Sequence, residues 1–179
     1  KPFVHYIGNQ LSKARDHFHG LREAKPDLVG IAIVDRDQIE LQRHSLREEM
    51  WRKRELENYF TTKDVLLAYA RGDEYDLFSI HEAEQRIKYM EESIEQVSNA
   101  LKTLRKPDAW SDDVKASDDF LTPLFETYFE KLKLPNLMKK TDFHILAKYV
   151  PIDSIDKEII EKLDAINNVA SNAKPILPN

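Results

Sequence analysis

The 179-residue chain has no cysteine, which excludes disulfide cross-links and thiolate metal sites and leaves oxygen and nitrogen donors for any metal chemistry. Glycine occurs only four times and never as a phosphate-cradling loop, so this chain is not itself a P-loop ATPase. No apolar run approaches the length of a bilayer span, and no basic start followed by an apolar stretch signals secretion. The expected location is cytoplasmic, with no membrane partner. Charge of one sign is not in large excess: 27 basic against 32 acidic residues gives a net charge of −5, which argues against a uniformly basic nucleic-acid binder.

What is present is 41% hydrophobic and 33% charged residues at a mean hydropathy of −0.58, the composition of a soluble, helix-rich protein with one core and an appendage. The run Val29-Gly30-Ile31-Ala32-Ile33-Val34 is unbroken, β-branched and apolar, then stops at Asp35-Arg36-Asp37. It reads as a central strand buried on both faces, and ligands collect at the carboxyl end of such strands. Residues two apart on a strand share a side, so Asp35 and Asp37 can present both carboxylates to one point while Arg36 turns away. Paired carboxylates suit Mg²⁺ or Mn²⁺ better than zinc. The competing reading is that these acids merely open a solvated turn.

Upstream, Phe3-Val4-His5-Tyr6-Ile7 has strand composition and ends at the turn pair Gly8-Asn9; the chain starts at Lys1 and runs straight into this pattern, as a piece cut from a longer protein does. Leu11, Ala14, Phe18 and Leu21 then keep helical spacing up to Lys25-Pro26, which makes a right-handed βαβ unit whose two strand ends share one rim. Residues 49–54 form a short edge strand. Thr61 or Thr62 caps a helix that stops at Gly72, and from about Ile80 to Leu104 a stripe of Ile87, Met90, Ile94, Val97, Leu101 and Leu104 marks packing surface, against a helix of this chain or of a partner. Residues 110–119 read as a loop, and 120–134 as an aromatic-rich helix with Pro123 in its first turn. A short helix covers 139–149, and a last helix begins at Asp153 or Asp156 with Ile159, Ile160, Leu163, Ile166 and Val169 as its apolar face.

The series Tyr6-Ile7-Gly8-Asn9, Gly30 through Asp37, and Arg54-Glu55-Leu56-Glu57-Asn58-Tyr59-Phe60 resembles the TOPRIM domain behind the ATPase of OLD-type (overcoming lysogenization defect) nucleases. Lys140-x-x-x-His144 and residues 158–166 are similar to the helical end of such domains. The resemblance implies an α/β fold, a small parallel TOPRIM-like (Rossmann-like) sheet with a large helical C-terminal extension. Its expected parts are a partial α/β core at 1–72, a helical insertion or arm at 73–135, and helices at 136–179 packing back on the core.

It further implies a Mg²⁺- or Mn²⁺-dependent DNA endonuclease domain of a larger ATPase-nuclease, the kind of protein used in phage defence, incomplete here because no strand ending in glutamate precedes residues 3–7. By residue, Asp35 and Asp37 match the metal ligands. Glu57, with Glu55 as its rival, matches the further acid, and Lys140, with Lys139 close behind, matches the basic residue that steadies the scissile phosphate. His144 is a possible support, though a lone helical histidine is more often structural. Arg43, Arg47, Arg52, Lys53 and Arg54, with His44 and Trp51 among them, are candidates for holding DNA phosphates; their alternative is a solvated face offset by Glu48, Glu49 and Glu55. The expected partners are DNA, the ATPase domain of the same protein and a second copy of the chain. The competing class is a non-catalytic interaction or dimerisation module built on the long helix, with a flavodoxin-like domain third.

Overall fold

The computed structural model describes residues 3–42, 44–72 and 77–174, with the backbone only at 77–80. The chain is mixed α/β and mostly helical, and it divides into two units: residues 53–155, and a unit made from both ends of the chain, residues 1–52 with 156–179.

In the unit built from the two ends, helix α1 (Leu11–Ala24) leads to strand β1 (Gly30–Val34), which pairs in parallel with β2 (Leu46–Met50). The register sets Gly30 beside Leu46 and Val34 beside Met50. Trp51 N–H donates to Val34 O at 3.0 Å, so Gly30, Ala32 and Val34 direct their backbone groups at β2 while Ile31 and Ile33 turn theirs to the other edge. Side chains alternate between faces. Ala32, Val34 and Leu46 pack with Leu11, Ala14 and Phe18 of α1, so tightly that a Cβ on Gly30 would lie 2.9 Å from the Phe18 ring. On this face Glu48 pairs with Arg15 of α1 at 2.8 Å. The next residue, Glu49, points to the opposite face, where it bonds Lys162 of the last helix, α5 (Lys157–Ser171), at 2.7 Å. The two-stranded sheet is thus covered on both faces.

Several expectations need correction here. Residues 3–7 form no strand: Phe3, Val4 and Tyr6 are 77%, 84% and 91% exposed, and the rings of Phe3, His5 and His17 stack together instead of the backbone joining a ladder. The parallel pair is β1 with β2, and the described residues between them, 35–42, 44 and 45, form no helix. Strand β2 begins three residues before the expected 49–54 and ends at Met50. In α5, capped as expected by Asp156, the inward face is Glu158, Lys162 and Ala165, whereas Ile160 and Leu163 are 47% and 51% exposed. Helix α5 packs on β1, and residues 136–155 belong to the other unit.

Residues 53–155 have their own core. A 3₁₀ turn (Leu56–Tyr59) precedes α2 (Lys63–Arg71), capped by Thr62 and closed by Gly72. The long α3 (Leu77–Thr103) packs on α2 and on α4 (Thr122–Lys131), and its stripe of Met90, Ile94, Val97 and Leu101 is buried with Phe120, Leu124, Phe125 and Phe143. Helix α4 is entered through a π-helical turn (Ala116–Leu121), so the expected loop at 110–119 is helical from Ala116. A 3₁₀ segment (Lys140–Tyr149) follows. No helix among the described residues is long and apolar enough to cross a membrane.

Candidate functional site at the carboxyl end of β1

β1 ends at Val34, and the chain bends at Arg36, so Asp35, Arg36 and Asp37 lie on a tip beyond the strand and not on its last residues. Strand alternation therefore does not set their directions; side-chain bonds do. Asp35 is the next residue to turn its backbone to the outer edge, and its N–H donates to Asn9 Oδ1 at 2.7 Å. Gly8 and Asn9 both take positive φ, 58° and 59°, the conformation that glycine and asparagine tolerate and that swings the Asn9 amide onto the rim. The sequence puts the Gly8-Asn9 turn and the β1 tip together as the ends of two parallel strands; residues 3–7 form no strand, and what joins the two is this hydrogen bond. Asp35 is half-buried and Asp37 exposed, with Asp37 Oδ1 accepting from Gln38 N–H at 2.8 Å.

Arg36 Nη1 donates to the carbonyl of Arg52 at 2.7 Å. The N–H of that same Arg52 donates to Glu158 Oε1 at 3.0 Å. Glu158 is only 2% exposed, and Lys162, one turn along α5, stands 3.6 Å from it and 5.9 Å from the centre of the Trp51 ring. Burial pushes the Glu49 carboxyl up, but Lys162 and Arg47 outweigh it and hold Glu49 below the usual glutamate range.

The other expected site residues fall as follows. Glu55 is buried; its Oε2 accepts the N–H of Ser117 at 2.9 Å, and its carboxylate also caps the backbone of Asn58. Glu57 is half-buried on the same 3₁₀ turn, with its carbonyl taken by Thr61. Lys140 pairs with Asp118 at 2.6 Å. His144 holds the Thr141 carbonyl within its own segment, a local role. Asp35 and Asp37 belong to one unit, and Glu55, Glu57, Lys139 and Lys140 to the other.

Of the basic cluster, Arg43 lies outside the described residues. Arg47 bonds Glu49 at 2.8 Å, Arg52 pairs with Glu161, and Lys53 pairs with Asp112 at 3.4 Å while covering the Tyr59 ring; Arg54 is exposed. Much of this positive charge is therefore offset locally.

Sequence reasoning passed over Glu158 and Lys162. Their spacing of four places them on one helix face, but the neighbouring isoleucines and leucine drew the inward side of α5 one step round.

Among the described residues no group of three or more His, Asp or Glu side chains could hold a metal ion. Comparison with protein-family models, curated proteins and solved structures gave no match.

Proposed function

We propose that the chain carries the metal-binding part of a Mg²⁺- or Mn²⁺-dependent phosphodiester nuclease acting on DNA, within a larger ATPase-nuclease of the OLD type. The observation that carries this reading is the acidic tip of β1, where Asp35 N–H donates to Asn9 Oδ1 and Arg36 Nη1 to the Arg52 carbonyl, and where Asp35 and Asp37 lie two residues apart at the rim of a covered parallel sheet. The donor set fits the ion. Mg²⁺ and Mn²⁺ prefer oxygen, keep several waters, and bind through one or two carboxylates plus substrate phosphates in place of a closed protein cage, so two aspartates without a third ligand are chemically sufficient for weak binding.

Bound there, the cation would activate water and neutralise charge on the phosphate. Asp35 and Asp37 would hold it; Glu57, Lys139 and Lys140 belong to the other unit and take no part in this reading of the tip. Glu55 drops out as a ligand because both of its bonds go to backbone amides in a buried setting. Arg47, Arg52, Lys53 and Arg54 remain the candidates for phosphate contact, along with Arg43.

Against the interaction reading stands the burial of Met90, Ile94, Val97 and Leu101 of the α3 stripe within residues 53–155, although Leu104 at its end is exposed.

Mn²⁺ titration followed by thermal melting tests the proposal. At a hundred times its dissociation constant a cation stabilises the folded state by about 2.7 kcal/mol, so the wild-type Tm rises by several degrees. Asp35→Ala and Asp37→Ala should abolish the rise. No shift in wild type at millimolar Mn²⁺ would remove the metal site and favour an interaction module.

A further inference from the structure

Strand β1 has an open edge. Its even-numbered residues bond β2, so the backbone N–H and C=O groups of Ile31 and Ile33 face the opposite side, and among the described residues the sheet holds no strand besides β1 and β2. Natural edge strands are shielded by charge or proline, yet residues 29–34 carry neither. An apolar ladder of this kind is a template for another strand.

One segment already stands beside it. Residues 3–7 lead into the rim at the carboxyl end of β1, where Asn9 Oδ1 accepts the N–H of Asp35, the next position along that edge, at 2.7 Å. Their side chains already alternate. Phe3 and His5 stack on His17 of α1, at 6.2 and 4.3 Å between ring centres, and Ile7 packs against the cluster that α1 forms with Ala32, Val34 and Leu46. Val4 and Tyr6, at the intervening positions, are 84% and 91% exposed. Odd positions thus face α1 and even ones face solvent, which is the period of an extended strand without its ladder.

We propose that residues 3–7 are a strap that closes on the outer edge of β1 as a third, parallel strand, making β1 the central one. Both five-residue segments run toward the same rim and match in length, at about 3.3 Å per residue. The register follows from the rim. Asn9 Oδ1 takes the place of a backbone carbonyl at Asp35, since the carbonyl of Ile7 is already held by Gln10 N–H at 3.2 Å. This sets Gly8 beside Asp35, and counting back puts Tyr6 beside Ile33 and Val4 beside Ile31. In a parallel ladder each bonding residue reaches the two that flank its neighbour. His5 N–H then donates to the Ile31 carbonyl, Ile7 N–H to the Ile33 carbonyl, and the His5 carbonyl accepts from Ile33. Val4 and Tyr6 turn their N–H groups outward and lie alongside Ile31 and Ile33, which are only half-buried. The strap stands independently of the metal reading.

Amide hydrogen exchange, read by NMR on the whole chain, tests it. Ala32, whose N–H bonds β2 whether the strap is open or closed, is the internal reference. In wild type the Ile31 and Ile33 amides should exchange at least about a hundredfold more slowly than in an unstructured peptide. His5→Pro removes a donor and sets a ring against β1, so both isoleucines should return to nearly free exchange while Ala32 stays within about threefold of wild type. His5→Ala loses the stacked ring but keeps the N–H, and Val4→Pro loses an N–H that points outward; both should keep the isoleucines within about tenfold of wild type.

Free exchange of Ile31 and Ile33 in wild type overturns the proposal. So does protection that survives His5→Pro, because another strand, such as that of a second copy, then holds the edge. Equal loss in His5→Pro and Val4→Pro overturns it as well. If His5→Pro also releases Ala32, the sheet itself has been lost, and Ile7→Pro, which removes the other donor, takes its place; unchanged exchange at Ile31 and Ile33 in that variant sinks the strap equally.

Discussion

Glu48 shows how a single charged residue can be placed inside a sheet layer. Its side chain is 2% exposed, yet both oxygens are used: Arg15 donates to each at 2.8 Å, and Gln42 N–H adds a third bond at 2.7 Å. The Arg15 bonds, assisted by Gln42, hold the carboxyl below the usual glutamate range against burial, which pushes it up. A carboxyl depressed in the folded state contributes stability above its unfolded pKa, about 4.3, and loses it as pH falls through the lower folded value. Thermal melts from pH 7 to pH 2.5 should show the wild-type Tm dropping below about pH 4.3. Glu48→Gln should start from a lower Tm at pH 7 and fall less steeply over that range. Equal slopes for the two proteins would mean that the pair contributes nothing to acid sensitivity.

At the scale of elements, punctuation was legible and partnership was not. Thr62, Gly72, Pro123 and Asp156 stop or start helices where their chemistry requires, because a cap or a breaker acts within a few residues of itself. β1 was equally clear, since an apolar β-branched run has few other uses. Residues 3–7 carry the same local signal without forming a strand, because pairing depends on an edge elsewhere that composition does not reveal. The face of α5 was misjudged for a related reason: Glu158 and Lys162 are turned inward by bonds to Arg52 and Glu49, more than a hundred residues away in the chain.

The Asp-x-Asp motif and the Gly8-Asn9 turn are both legible in the sequence, but the bonds that join Asp35 N–H to Asn9 and Arg36 to the Arg52 carbonyl are not. Asn58 is the counterpart in the helical unit, where one buried side chain accepts from Glu55 N–H at 2.9 Å and donates to the Ser111 and Val114 carbonyls at 3.1 Å. Asn58→Ala strands those groups and should cost about 3 kcal/mol, read from urea unfolding. A loss below about 1 kcal/mol would show that water replaces the side chain.

For the whole molecule, the division into units makes a strong demand of residues 53–155. They are contiguous, and they bury Leu66, Met90, Phe120, Leu124, Phe125, Phe143 and Leu146 among themselves. Expressed alone, residues 53–155 should give a helical circular dichroism spectrum and one cooperative thermal transition; a broad, non-cooperative melt would refute the autonomy of this core. The expected boundaries at 72 and 135 missed this unit because composition does not change where the chain passes from one core to the other. The sheet unit is a different case, being made from the two ends of the chain. Arg52 and Glu158 are 106 residues apart, and a contact of that span closes late. On the ribosome, where synthesis runs from the N-terminus, the helical segment emerges complete while the sheet still lacks the covering of its second side. The acidic tip therefore acquires its bracing from α5 only after residues 157–171 have been made.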